Sequence, residues 1–392
     1  MSKNKYKGKI WTREFSVIFL FHFILMFSMY STLVTVGTVT IEDYGASPGT
    51  AGFAASVFIV GVLAGRALTG YQINNMGARK IMYIGTVFFF ITYALYFIDG
   101  GLHLLIAVRL LNGVATGIIS TALNTLATIS VPPERRGEGI SHFSLSMILG
   151  AAFGPFLSFL ALEHISFNMM LIYVGLIVLA VSFLLPVIRI NNTPRPETAP
   201  KGRFVMIDRD VLPMGLSILF MGLAYSAVLS FLNTYALGMN LVTAAGVFFL
   251  VYSAAVMVTR PITGKMLDRY GANVVLYPSF IMTAAGFFTL GQATAGSVLL
   301  LAGFLIGLGY GNFQSAAQAV CVKVAKRDNV GLATSTFFIM LEIGLGFGPF
   351  FLGMVVPFTG YGGLYQLLVF SIAAAMVIFH FVYGRHEKKY EI

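Results

Sequence analysis

The sequence predicts an all-α integral membrane protein. Twelve transmembrane helices form two parallel six-helix repeats, with both termini on the cytoplasmic side. Three observations carry this. Apolar residues make up 57% of the 392 residues and charged residues 10%, against about 25% charged in soluble domains, so a water-facing surface cannot be built. Twelve apolar stretches each reach the roughly 20 residues that cross a bilayer. Two segments half a chain apart, "RALTGYQINNMGA" from Arg66 and "RPITGKMLDRYGA" from Arg260, repeat Arg, Thr, Gly, Gly and Ala in register.

The stretches run over 14–39, 50–71, 80–98, 102–129, 139–161, 166–190, 209–237, 243–265, 274–292, 297–322, 332–356 and 363–383. A helix satisfies its own backbone where water is absent, and the Gly, Ser, Ala and Thr within these stretches suit close helix packing. The first follows the basic segment "MSKNKYKGKIWTR". That flank imitates a signal peptide, but the apolar run from Phe15 to Ile41 exceeds a signal core and no small-residue cleavage site stands out; it is read as a retained first span. The polar, Pro-rich "NNTPRPETAPKGRF", Asn191 to Phe204, reads as a linker. The expected division is an N-terminal half 1–190, a cytoplasmic linker 191–208 and a C-terminal half 209–392.

Charge sets the orientation. Of the 25 Lys and Arg, 22 fall in the terminal segments, the even-numbered connections and the span ends that adjoin them. Arg66, Arg109 and Arg260 lie within or at the ends of spans, and the odd-numbered connections carry none. Those connections do carry Glu42, Asp43, Asp99 and Glu163, with Glu42 and Asp43 expected in a solvated outer loop. Lys and Arg mark the cytoplasmic side, so the net charge of +10 is a topology signal and nucleic acid is not an expected partner. The single cysteine, Cys321, excludes a disulfide framework and a thiolate zinc site. It is expected to pack as a small apolar residue.

The 194-residue offset continues beyond the two segments. "ILGAAFGPFL" (148–157) aligns with "EIGLGFGPFF" (342–351). Gly113/Gly307, Gly117/Gly311, Gly137/Gly331 and Ser141/Ser335 match without a gap, and Tyr30-Ser31 finds Tyr225-Ser226 after a one-residue shift. Both halves begin inside, so the repeat is parallel, about an axis along the membrane normal.

These segments resemble the motifs of bacterial major facilitator superfamily transporters of the twelve-helix efflux (drug:H+ antiporter) type, and the resemblance covers nearly the whole chain. The family's loop between spans 2 and 3, G-x-L-a-D-r-x-G-r-k, is matched in the C-terminal half by Gly264, Asp268, Arg269 and Gly271. It is degraded in the N-terminal half to Gly70, Asn74, Gly77 and Arg79. The resemblance implies a cytoplasmic gating latch whose carboxylate lies against a helix N-terminus; Asn74 cannot supply that charge, so the N-terminal latch is expected to be weaker. "LIAVRLLNG" resembles l-x-x-x-R-x-x-q-G through Arg109 and Gly113, with Asn112 for Gln. Span 4 enters from outside near Leu102, which puts Arg109 about 10 Å deep. It is either a cation responding to a titrating acid or an arginine snorkelling outward. The antiporter signature g-x-x-x-G-P-x-x-G-G is met in part by Gly150, Gly154 and Pro155, with Ser158 and Phe159 at its final glycines.

Glu342 is the one acid expected deep inside a span, about 15 Å from the start of the eleventh. A carboxylate there must be paired, hydrated or protonated. Glu342, Arg109 and His22 are therefore the proton-coupling candidates, against structural roles for each; His142 is a weaker one. The resemblance places the substrate cavity on spans 1, 4, 7 and 10. Polar and aromatic residues there are Phe27 and Tyr30; Ser120 and Asn124, with Thr128 on the same face; Tyr225, Phe231 and Asn233; and Asn312, Gln314 and Gln318. The mixture suits a mostly apolar ligand with a few hydrogen-bonding groups, against a role as interhelical glue.

The expected function is proton-coupled export, by alternating access, of a small amphipathic or polar organic compound: a drug, a metabolite or a metal chelator. The alternatives are uptake or lipid movement by the same fold. A polytopic membrane enzyme would need a cluster of catalytic or metal-ligating side chains, which the sequence lacks; nor does it carry a phosphate-binding G-x-x-x-x-G-K-[ST] loop. No cofactor or metal is implied. The expected partners are the lipid bilayer, protons and the small-molecule substrate, with the protein a monomer in a bacterial cytoplasmic membrane.

Overall fold

The computed structural model describes residues 9–132, 136–190, 207–324 and 330–390; of the expected linker 191–208, residues 191–206 lie outside them. The fold is all-α. The N-terminal helices are α1 (Arg13–Tyr44), α2 (Pro48–Met76), α3 (Ala78–Ala94), α4 (Gly101–Ser130), α5 (Arg136–Leu162) and α6 (Phe167–Ser182). Then follow α7 (Leu212–Leu237), α8 (Val242–Tyr270), α9 (Asn273–Gly291) and α10 (Gly296–Ile306). A π-helical turn, Gly307–Gly311, joins α10 to α11 (Asn312–Val324), and α12 (Val330–Val382) is followed by a 3-10 segment, Gly384–Tyr390. Among the described residues, eleven helical stretches are long and apolar enough to cross a membrane.

The helix α12 has 53 residues and would be about 80 Å long if straight, more than twice the hydrocarbon thickness. It breaks at Gly360 (φ 66, ψ 173), and each side of the break is long enough to cross. The eleventh and twelfth apolar stretches therefore run into one another with no polar loop between them. Glu42 and Asp43, expected in a loop, form the exposed last turn of α1 instead. The apolar pattern ends before them, but three more residues of helix, to Tyr44, cost little where water solvates the side chains.

By contacts the chain divides into two compact units. The first holds α1 up to Thr32 and the residues from Val57 to the end of α6. Its core is built from one stripe of α1, Phe15, Ile18, Phe21 and Leu25, together with Met82 and Phe89 of α3, Leu123 and Leu126 of α4 and Val178 of α6. The second unit holds Leu33–Ser56 and the described residues of the C-terminal half. Here α7 is nearly enclosed, burying Met214, Ile218, Met221, Ala224 and Val228, and α12 packs along it. The side chains of α6 stay mostly outward, Leu176 being 55% and Tyr173 52% exposed. An apolar exposed face is what lipid solvates, so it costs nothing in a bilayer.

The repeat is visible in backbone conformation. Gly77 (φ 79, ψ 142) ends the α2 turn and Gly271 (φ 86, ψ 177) ends the α8 turn, 194 residues apart. Both sit in a region that side-chain-bearing residues avoid, so each half needs glycine there to re-aim the chain into the next helix.

Candidate functional site

In the first unit Arg109 has no exposed surface. Its Nη1 donates to Thr32 Oγ1 at 3.0 Å, and its guanidinium carbon lies 4.7 Å from the centre of the Phe58 ring. The snorkelling alternative is therefore not the geometry found: the side chain turns into the bundle. Close approach of α2 to α4 makes this possible, because a Cβ at Gly113 would meet the Phe58 backbone. Asn112, at the motif's Gln position, reaches α3 instead, donating to Thr92 Oγ1 at 3.0 Å.

His22 is buried ten residues before Thr32 on α1, about 15 Å away along the axis. Its Nδ1 lies 2.6 Å from Ser146 Oγ, and that hydroxyl donates to the Phe143 carbonyl at 2.5 Å. A serine has one proton to give. With that proton on the carbonyl, His22 must carry its own on Nδ1 and donate to Ser146. The ring also packs on Phe143, with centroids 4.4 Å apart. His22 and Arg109 thus occupy different levels of the same unit.

The partial antiporter signature is the seam between α5 and α1. A Cβ at Gly150 would stand 2.6 Å from Met26 Cβ, and one at Gly154 would stand 3.0 Å from both the Phe27 carbonyl and Tyr30 Cβ. The Gly154 carbonyl, next to Pro155, accepts from Ser158 at 2.7 Å and from Ser31 at 3.3 Å. The motif therefore brings Phe27 and Tyr30 against α5. Arg66 of α2 lies within electrostatic reach of both His22 and Tyr30. Sequence reasoning left Arg66 without a role; its match to Arg260 in the repeat was the signal. Of the α4 residues, Ser120 is buried with its hydroxyl on the Gly117 carbonyl at 3.2 Å, whereas Asn124 is exposed.

In the second unit Glu342 is buried, 6% exposed, on the part of α12 that packs on α7. Neighbouring contacts hold that register: Met340 lies against Gly215, Leu341 against Gly222, and Gly344 against Leu219 and Leu223. Tyr225 of α7 stacks on Tyr310 of the π turn at 4.1 Å and 14°, and on Tyr252 of α8 at 5.5 Å and 27°. Tyr310 and Tyr252 were not among the expected residues. Tyr252 is the repeat equivalent of Phe58, a correspondence the 194 offset could have supplied.

The remaining cavity candidates separate into packed and accessible. Phe231 is buried beside Gly52, and Asn233 donates to Thr38 Oγ1 at 2.8 Å, where the C-terminal half of α1 meets α7. Asn312 is buried with its amide spent: Nδ2 donates to Thr259 Oγ1 at 2.9 Å and to the Leu308 carbonyl at 2.8 Å, and Oδ1 accepts from Thr263 Oγ1 at 2.9 Å. Gln314 and Gln318 are half-buried.

At the two loops expected to gate, a Cβ at Gly70 or Gly264 would meet open space. Arg79 lies over the Tyr83 ring at 5.9 Å and Arg269 over Tyr270 at 5.2 Å. The side chains of Asn74 and Asp268 lie outside the described residues. A carboxylate does stand at the α9 N-terminus beside the C-terminal loop. It is Glu387, whose Oε1 accepts from the backbone of Ala272 and, at 3.0 Å, of Asn273. Among the described residues, no three His, Cys, Asp or Glu side chains gather as a metal site.

Long apolar helices in two repeats, with an arginine and a carboxylate buried among them, define a membrane-embedded transporter. The sequence profile of the Major Facilitator Superfamily matches residues 18–293 and again 216–391, and the chain belongs to that family. It is 21% identical over 360 residues to the staphylopine export protein of Staphylococcus aureus, covering 86% of this chain and 88% of that protein. It is 19% identical over 373 residues to an uncharacterised MFS-type transporter of Methanocaldococcus jannaschii, covering 91% and 96%. Among solved structures, the peptide transporter POT in complex with sulfate superposes with a TM-score of 0.77 at 14% identity, over 94% of this chain and 95% of that one. A bacterial homologue of the human lysosomal transporter Spinster gives 0.72 at 14% identity, over 98% and 96%. At such identities the structures speak for the fold alone.

Proposed function

We propose that the protein is a proton-coupled secondary active exporter of a small amphipathic or polar organic compound, working from a bacterial cytoplasmic membrane with both termini inside. The observation that carries the direction is the end-to-end similarity to an export protein, 86% of one chain on 88% of the other. The antiporter-like seam at Gly150, Gly154 and Pro155 supports the same direction.

Glu342 is the proton carrier in this reading. A buried carboxyl holds its proton in one access state and releases it when water or a cation reaches it in the other. Arg109 is the fixed cation that makes the exchange sensitive to conformation, and His22 a second proton-exchanging group. The polar side chains not already spent on packing, Asn124, Gln314 and Gln318, with Tyr30, meet the substrate. Gly77 and Gly271 re-aim the chain at the two gating loops as the repeats alternate access.

The test is reconstitution in liposomes with a defined pH gradient, recording lumenal pH while a panel of drugs, metabolites and metal chelators is added. Wild type should show substrate-triggered proton movement. Glu342→Gln should lose it at least tenfold while retaining its thermal unfolding profile. Undiminished proton-coupled export by Glu342→Gln would remove this residue from the mechanism. Silence of folded wild-type protein toward every compound would overturn the proton-coupled reading.

A further inference from the structure

A groove of about 400 Å³ opens between α9 and the second half of α12. It is walled by apolar side chains, among them Ile281, Ala284 and Phe288 of α9 and Ile372, Ala373 and Met376 of α12. Ile281 and Phe288 are more than half exposed, so the groove faces outward from the helices.

Its cytoplasmic end is polar and basic. One turn beyond Ile281 and Met376, the Tyr277 hydroxyl and His380 Nδ1 lie 2.8 Å apart. Arg385 follows, exposed, with its guanidinium carbon 5.1 Å from the Phe381 ring centre. Three contacts fix the segment that carries it. Glu387 caps α9, Asn273 Nδ2 donates to the Gly384 carbonyl at 2.8 Å, and Gly384 is packed against Tyr277. The Glu387 carboxylate is thus occupied by backbone N–H groups, and among the described residues the exposed Arg385 presents its charge at this end. The chain continues with Lys388 and Lys389.

The lengths fit one molecule. Met376 and Val369 stand nine and sixteen residues before Arg385, about 13 and 24 Å along a helix. Half of the hydrocarbon core is about 15 Å, with about 6 Å of headgroup region outside it. We propose that the groove and Arg385 together bind an anionic glycerophospholipid of the inner leaflet, an acyl chain in the groove and the phosphate on Arg385 and the His380–Tyr277 pair. The inference rests on the inside placement of the C-terminus. It is independent of substrate and coupling.

The test uses full-length protein in vesicles. Trp11 is the sole tryptophan, so Trp11→Phe with Ala373→Trp places one fluorophore in the groove, and Trp11→Phe with Ile262→Trp places one on the lipid-facing side of α8 as reference. Each is quenched by brominated phosphatidylglycerol or brominated phosphatidylcholine at equal mole fraction in phosphatidylcholine. The groove fluorophore should prefer phosphatidylglycerol about fivefold, the value of about 1 kcal/mol per basic residue near a membrane surface. The reference should show no preference, and adding Arg385→Ala should abolish that of the groove. Equal quenching by the two lipids in the groove, or a preference that survives Arg385→Ala, overturns the proposal. Native mass spectrometry of the otherwise wild-type chain reads the same point without the tryptophans: Arg385→Ala should retain one fewer phosphatidylglycerol, and unchanged retention overturns it.

Discussion

The guanidinium of Arg109 is bound to the hydroxyl of Thr32 at 3.0 Å, with the face of Phe58 beneath it. A charge in an apolar interior is tolerated only where it is bonded, and this bond ties α4 to α1 at the point where α1 passes from one compact unit to the other. The same residue anchors the fold locally and carries the fixed charge of the proposed coupling.

Arg109→Lys should therefore fail. Lysine keeps the charge but loses the planar fork and the stacking surface. We expect substrate-driven proton flux in liposomes to fall at least tenfold. Phe58→Leu, which removes only the ring face, should lower it less, by the roughly twofold to fivefold that a cation–π contact of about 0.5–1 kcal/mol represents. Normal flux in Arg109→Lys would mean that only the charge counts.

The His22–Ser146 pair gives a stability prediction. Ser146→Ala leaves the buried His22 Nδ1–H without its acceptor, a loss of about 1–3 kcal/mol. A lowered thermal midpoint in detergent is the expected result. Nitrogen NMR of imidazole-labelled protein should find the proton on Nδ1 in the wild type. A neutral ring protonated on Nε2 would show that the Ser146 hydroxyl donates to His22 rather than to Phe143.

Much of this architecture was legible in the sequence because it follows from solvent. Span 4 was expected from Leu102 and α4 begins at Gly101; the Gly77/Gly271 match already implied one backbone turn used twice. The π turn at Gly307–Gly311 was not legible, because its hydrogen-bond slip is decided by what packs around it. There a Cβ at Gly309 would collide with Thr283 and Ser279. Nor could hydropathy say which mid-span polar residues are glue. Asn312 and Gln318 look alike in sequence, but only Asn312 finds Thr259 and Thr263 across the helix contact.

That difference is measurable. Asn312→Ala removes the side-chain hydrogen bonds that join Asn312 to Thr259 and Thr263 in a buried contact and should cost about 1–3 kcal/mol of stability, with substrate selectivity unchanged. Gln318→Ala and Asn124→Ala should do the reverse, raising the KM of transport severalfold with little change in thermal midpoint. A selectivity change in Asn312→Ala at unaltered stability would return Asn312 to the substrate surface.

The last prediction concerns the loop between α8 and α9, proposed above as a gate. Glu387 accepts from the first N–H groups at the start of α9, where the helix end carries partial positive charge. The loop between α8 and α9 is thereby tied to the chain's own C-terminal segment, and a carboxylate from outside the loop motif occupies a helix N-terminus beside it. Glu387→Gln keeps a hydrogen-bond acceptor but removes the charge; Glu387→Ala removes both. Capping is worth about 1 kcal/mol, a population shift of about fivefold. Spin labels on the C-terminal ends of α2 and α8 should therefore report a broader distance distribution in Glu387→Ala than in wild type, with Glu387→Gln between them. Identical distributions in all three proteins would show that the contact holds the C-terminal segment in place without bearing on the gate.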